Sequence, residues 1–168
     1  MIARLPTTRL ERWRSAALWL CLSLFVVRVI GQIEVVVVSP HWLPPFRAWE
    51  SGLIPYAVLL PIQIVLIAWM AIVATDHGRG SGYFWVTHRS TRRRLKIIAG
   101  IYFAAMLLRL AITVSIPPHS LAERGLIPVI AHWDLAAFIY LTACARGSKK
   151  KIGIAAHTLV YAVQRWIN

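Results

Sequence analysis

Four apolar stretches, each long enough to cross a lipid bilayer, constrain the fold of this chain more than any other feature. They run over residues 15–38, 54–75, 97–116 and 126–145. A helix needs roughly 20 residues to cross about 30 Å of hydrocarbon, and each stretch is apolar all round instead of along one face. The alternating ten-residue segments of a transmembrane β-barrel are not visible. We therefore predict an all-α membrane protein built as a four-transmembrane-helix bundle.

The basic residues predict how the bundle is oriented. Fifteen of the 19 Lys and Arg residues precede the first stretch, join the second to the third, or follow the fourth. The other two connections hold only Arg47 and Arg124. Basic segments tend to remain cytoplasmic because they are hard to translocate. We expect a multi-pass protein of the plasma (inner) membrane with both termini in the cytoplasm. The first stretch is too long for a cleaved signal peptide and contains Arg28, so we expect it to be retained as a transmembrane span.

The last 21 residues differ in pattern from the spans. We assign residues 1–147 to the transmembrane domain and 148–168 to a cytoplasmic tail. Apolar residues recur in the tail at spacings of four and three: Ile152, Ala156, Leu159, Val163 and Trp166. One apolar stripe on a short segment that follows three lysines predicts an amphipathic interfacial helix. A docking helix for a partner subunit is the alternative.

Two basic runs predict contacts with anionic lipid headgroups. They comprise Arg92, Arg93 and Arg94, and Lys149, Lys150 and Lys151. The net charge of +13 is spread between apolar stretches and not gathered on one soluble module, so nucleic acid is not an expected partner. Membrane lipids, other membrane subunits and a second copy of the chain are the partners that this pattern allows.

Polar side chains inside the spans are the candidate site, because such residues are costly in hydrocarbon and often functional. The six are Arg28, Gln32, Gln63, Arg109, His132 and Asp134. At about 1.5 Å of rise per residue, four of them, one from each helix, fall at nearly one height: Arg28, Gln63, Arg109 and Asp134. We expect Asp134 to pair with Arg109 across this layer.

His132 and Asp134 make a further prediction about the fourth helix. They are two residues apart and point to opposite sides of a helix. Both are buried only if this helix has neighbours on two sides. Above the layer, the first outer loop carries His41, Trp42 and Trp49 among prolines that preclude a regular helix. The loop is either an aromatic anchor at the interface or a cap over a pocket.

Two functions fit these observations. A small non-enzymatic accessory or scaffold subunit of a membrane complex is favoured by the size of the chain and by the lack of a recognisable catalytic motif. The alternative is a small transporter or a quinone- or lipid-binding redox protein that uses the polar layer. Its surplus positive charge favours an anionic or carbonyl-bearing ligand. Whether the chain is an enzyme is uncertain, and the pattern leans against it.

No cofactor is favoured by the sequence. Haem b in a membrane needs two facing histidines. His41, His119 and His132 are all expected on the outer side, but only His132 lies well inside a span. No pair of ligands has a short metal-binding spacing, and Cys21 and Cys144 form no C-x-x-C motif. Haem b and quinone therefore remain weaker hypotheses, and no metal site is predicted.

Overall fold

The computed structural model describes residues 9–49, 55–80, 82–84, 88–115 and 126–144. These residues form four α-helices and one short 3₁₀ turn, Phe46–Ala48. The helices are α1 (Arg9–Val37), α2 (Tyr56–Arg79), α3 (Arg89–Ser115) and α4 (Leu126–Ala143). All four are long and apolar enough to span a membrane, which confirms the prediction of four helices of membrane-spanning length, and the described residues include no strand. The interfacial helix predicted over 148–168 lies outside the described residues.

Three of the helices extend beyond the apolar stretches at one end of the bundle. α1 begins at Arg9 and α3 at Arg89, six and eight residues before the hydrocarbon-compatible segments predicted from sequence. Arginine and lysine are good helix formers, so a helix continues past the hydrophobic boundary into the polar region. α2 likewise continues to Arg79 and ends at Gly80, whose φ of 64° is left-handed and suits glycine at a helix C-terminus.

The helices pack in the spatial order α3, α4, α1, α2. α4 lies between α3 and α1, and α1 packs against α2. The core is formed by side chains such as Leu18 and Phe25 of α1, Met70 of α2 and Phe138 of α4. Within α3, Ala99 is the one buried residue, so most of that helix faces outward. The fourth helix therefore has neighbours on two sides, which is the condition set by His132 and Asp134.

One end of the bundle, here called the basic end, holds the starts of α1 and α3 and the ends of α2 and α4. Arg14 donates to the carbonyl of Cys144 at 3.4 Å, and Arg92 donates to the carbonyl of Ala143 at 3.2 Å. The buried His77 of α2 hydrogen-bonds through Nδ1 to the carbonyl of Val73 in its own helix. The last carbonyls of a helix have no partner within it, and cations favour that end of the helix dipole. Two helices, α1 and α3, are thus tied to the C-terminus of α4.

The opposite end, here called the loop end, is closed by the segment between α1 and α2. Ser39 has a φ of 49° and precedes Pro40, which ends α1 because proline cannot continue a helix. The chain then turns back over the bundle. Ala48 and Trp49 become buried against Val35 of α1. This fold-back places aromatic side chains directly above the space between α1 and α4.

Candidate functional site

A cavity of about 280 Å³ lies between α1 and α4 near the loop end. On α4 it is lined by one helix face: Ile127, Ile130, Ala131 and Asp134, whose spacing of three, one and three residues is that of a single helical stripe. Its other polar residues are Arg28 of α1 and Trp49 of the loop. The cavity thus joins three of the residues singled out from sequence and surrounds them with aliphatic walls.

Arg28 is the principal charged group of this cavity. Its Nη2 donates to the carbonyl of Trp49 at 3.1 Å. Its Nε is buried and has no hydrogen-bond partner among the described residues. An arginine keeps its proton under all ordinary conditions and carries donors only. Arg28 can therefore donate at least one more hydrogen bond to an acceptor that enters the cavity.

Trp49 is held in place by contacts on both sides of its ring. The indole nitrogen donates to the carbonyl of Pro44 at 3.1 Å. The ring lies so close to Gly31 that a Cβ added there would come within 2.7 Å of Trp49 Cη2. Glycine at position 31 is therefore needed for Trp49 to approach α1. The loop covers the cavity with a fixed side chain, whereas Trp42 is 66% exposed and His41 is also exposed.

A second polar pair lies one turn beyond Arg28 toward the loop end. Gln63 of α2 donates its Nε2 to Gln32 Oε1 of α1 at 3.1 Å, and both side chains are almost fully buried. Gln32 Nε2 and Gln63 Oε1 have no partner among the described residues. The pair joins α1 to α2 and retains one donor and one acceptor. Buried polar groups are otherwise nearly always hydrogen-bonded.

Asp134 lies at the deeper end of the cavity. Its carboxyl group lies beside the thiol of Cys21 on α1, and its Oδ2 has no hydrogen-bond partner among the described residues. Cys21 precedes Arg28 by seven residues on α1, which is about 10 Å along a helix axis. The cavity therefore presents a cation near one end and a carboxyl group near the other.

The polar residues occupy two levels instead of the single layer expected from sequence. Asp134 lies level with Cys21 and does not form the expected pair with Arg109. On the other side of α4, His132 hydrogen-bonds through Nδ1 to the hydroxyl of Tyr102, and Arg109 lies seven residues, or about 10 Å, further along α3. The expected single layer rests on the depth of each residue within its own apolar stretch. The ends of these stretches do not determine how far one helix is displaced along its neighbour. α4 has 18 residues beside the 27 of α3.

Tyr102 is the residue of this region that the sequence analysis missed. It pairs with His132 on the α3 side of α4, and the two rings meet edge to face with centroids 5.5 Å apart. A signal was present in the sequence, because Tyr102 and Arg109 are seven residues apart and share one helix face.

The basic residues predicted to contact lipid headgroups divide into two groups. Arg92 is committed to the carbonyl of Ala143, whereas Arg93 and Arg94 are exposed. Lys149, Lys150 and Lys151 lie outside the described residues. Among the residues that the structure describes, no three His, Cys, Asp or Glu side chains cluster as metal ligands.

Comparison with protein-family models, with curated proteins and with solved structures finds no match to this chain. Function therefore has to be argued from the geometry. That geometry is an aliphatic cavity with fixed hydrogen-bond donors near its roof and a carboxyl group at its deeper end. Such a space suits a ligand with an apolar body and an acceptor group. It contains no arrangement of nucleophile and base that would indicate covalent catalysis.

Proposed function

We propose that this multi-pass membrane protein binds an amphiphilic ligand in the cavity between α1 and α4. The carboxylate or carbonyl of the ligand accepts a hydrogen bond from Arg28, and its apolar part lies along the aliphatic face of α4. The protein would then act as a small transporter or as a lipid- or quinone-binding protein. The plasma membrane, with both termini in the cytoplasm, is the location we propose on the charge distribution.

The observation that carries this proposal is the unused donor of Arg28. A buried arginine nitrogen without an acceptor is costly, and here the side chain lines an open cavity between two helices. A purely structural arginine would be expected to spend its Nε donor on the protein, as Arg92 does at the basic end, where its Nε donates to the carbonyl of Ala143. The unused donor is therefore support for ligand binding at the loop end.

A direct test uses the full chain purified in mild detergent. Oleate, a carboxylate, and decylubiquinone, a carbonyl compound, serve as probes in equilibrium binding measurements. We expect at least one of them to bind the wild type and to bind Arg28→Gln at least about tenfold more weakly, the loss expected for one charge-assisted hydrogen bond. Arg12→Gln is the matched control, because Arg12 is an exposed residue of the same helix at the basic end.

A second variant tests the contribution of the cavity volume to binding, independently of the charge of Arg28. Ala131 lines the cavity, and Ala131→Leu would occupy part of its volume. Ala104→Leu, on the exposed surface of α3, is the control for an added side chain. Binding that is equally strong in wild type, Arg28→Gln and Ala131→Leu would contradict the proposal.

The accessory-subunit role is the second candidate, and the exposure of α3 favours it. Ala99 is the only described residue of α3 that is buried, so this helix offers a long apolar face to another transmembrane helix. Purification from its native membrane in mild detergent distinguishes the two candidates. Stoichiometric co-purification of other subunits supports the accessory role, whereas an isolated protein that carries bound quinone or lipid supports the ligand-binding role.

A further inference from the structure

A separate groove runs along the outside of the seam between α3 and α4. It measures about 310 Å³ and lies on the side of α3 opposite the residues that face α2. Lys96 and Tyr140 lie at one end, and Phe103 and Trp133 lie at the other. Seven residues of α3 separate the two ends, which corresponds to about 10 Å. The groove is thus elongated along the helices, and its Lys96 end points to the basic end of the bundle.

The floor and the ends of the groove differ in chemistry. Small residues form the floor, among them Ala99, Gly100 and Ala136. Aromatic rings lie at the two ends, with Tyr140 beside Lys96 at one end and with Phe103 stacked on Trp133 at the other, at a centroid distance of 5.4 Å and an interplanar angle of 26°. A narrow, smooth and apolar channel of this kind accommodates a flexible hydrocarbon chain better than a polar molecule.

Gly100 shows that the open space is not a by-product of close helix packing. A Cβ placed at this position would meet no atom within 4 Å. Glycine inside a helix is unfavourable relative to alanine, and neither a turn nor a close helix approach requires it here. The effect of the missing side chain is to leave the groove open.

The charge at the end of the groove identifies the kind of molecule that fits it. Lys96 is exposed, and its Nζ lies 5.6 Å from the centre of the Tyr140 ring. Arg89 and Arg93 precede it by seven and three residues and are also exposed, so all three lie on one side of α3. Lysine and tyrosine at the end of a span are typical of the headgroup region.

We propose that this groove binds an anionic phospholipid of the leaflet at the basic end. One acyl chain lies along the small-residue floor and runs from Tyr140 toward the stacked rings of Phe103 and Trp133, and the phosphate is paired with Lys96. Charge complementarity favours a lipid over another apolar helix, because a packed helix would bury Lys96 without supplying an anion. The site is independent of the cavity at Arg28 and lies on a different pair of helices.

The test is native mass spectrometry of the full chain in mild detergent with added lipid. Dioleoylphosphatidylglycerol and dioleoylphosphatidylcholine are compared at equal concentrations. We expect one molecule of the anionic lipid to be retained about tenfold more tightly than the zwitterionic lipid. Lys96→Gln should remove most of that preference, because the phosphate loses its cation. Arg94→Gln is the control, since Arg94 lies two residues away and points to the opposite side of α3.

Substitution of Gly100 tests the acyl-chain part of the proposal. Gly100→Leu projects into the groove and should weaken the binding of both lipids about tenfold, whereas Gly100→Ala leaves most of the space. The Cβ of either side chain meets no atom within 4 Å, and thermal unfolding of both variants checks that the fold is kept. If Gly100→Leu does not fold, photocrosslinking of wild type with a diazirine-labelled phosphatidylglycerol replaces it, with adducts expected on peptides from residues 96–103 and 133–140.

Four outcomes would overturn the proposal. Equal effects of Lys96→Gln and Arg94→Gln would indicate diffuse attraction to a basic surface. Unchanged lipid retention in folded Gly100→Leu, or crosslinks spread over the other helices, would exclude the groove. Complete displacement of the lipid by an equal concentration of glycerol 1-phosphate would show an anion site that needs no acyl chain.

Discussion

The two ends of the bundle use polar side chains in different ways. At the basic end, Arg14 and Arg92 each donate to a backbone carbonyl at the C-terminus of α4, so their hydrogen bonds join one helix to another. At the loop end, Arg28 donates to the carbonyl of Trp49 in the loop. Arg28 and Asp134 also line the cavity between α1 and α4. The arginines of the basic end therefore serve helix packing, whereas the charged groups toward the loop end face an open space.

Arg28 gives the largest expected effect. Arg28→Gln should lower the affinity for an acceptor-bearing amphiphile by at least about tenfold. It should change the free energy of unfolding by less than about 1 kcal/mol, because removal of a poorly satisfied buried charge is often neutral. Equilibrium binding of oleate and thermal unfolding in detergent measure the two quantities. A large loss of stability together with unchanged binding would show that Arg28 stabilises the bundle and does not bind the ligand.

The Gln32–Gln63 pair tests whether the loop end is also held by polar contacts. Gln32→Leu removes the acceptor of Gln63 Nε2 and leaves a buried amide unpaired, which should cost about 1–3 kcal/mol. Replacement of both glutamines by leucine should recover much of that loss, because no buried amide is left without a partner. Chemical unfolding in detergent gives the values. A double variant that is less stable than Gln32→Leu would show that the pair contributes net stability.

Arg92 is the counterpart of Arg28 at the basic end. Arg92→Gln removes a charged donor from the carbonyl of Ala143 and should destabilise the protein by about 0.5–2 kcal/mol. Ligand affinity at the loop end should be unchanged. Arg93→Gln, at an exposed neighbouring position, is the control for the loss of one charge. Equal destabilisation by the two variants would mean that the hydrogen bond to α4 has no special role.

Arg109 and Asp134 test the separation of the polar groups into two levels. Because the two residues lie on different sides and at different heights of α4, the effects of Arg109→Leu and Asp134→Leu on stability should add to within about 0.5 kcal/mol. A direct ion pair, as the sequence alone suggested, would make the double variant clearly more stable than the sum of the single effects predicts. A double-mutant cycle of unfolding free energies decides between these geometries.

The sequence predicts the four helices well because hydrophobicity over twenty residues is set by the membrane and not by neighbouring helices. The opposite placement of His132 and Asp134 also follows from helical periodicity alone. The height of each polar residue along the bundle does not follow from periodicity, because it depends on how far α4 is displaced along α1 and α3. The roles of Gly31 and Tyr102 likewise depend on contacts between segments far apart in sequence. The sequence predicts Trp49 near the site. Its burial beside Gly31, however, depends on the path of the loop, which the sequence pattern does not give.

The order of packing has a consequence for how the protein is made. α3 packs chiefly against α4, and α4 lies between α3 and α1. During synthesis, α1 and α2 can associate as soon as both have entered the membrane, since transmembrane helices form before they pack. α3 then has no main neighbour until the ribosome has released α4. α4 is thus the span that joins α3 to the rest of the bundle, and a chain truncated before residue 126 would leave α3 without its main neighbour.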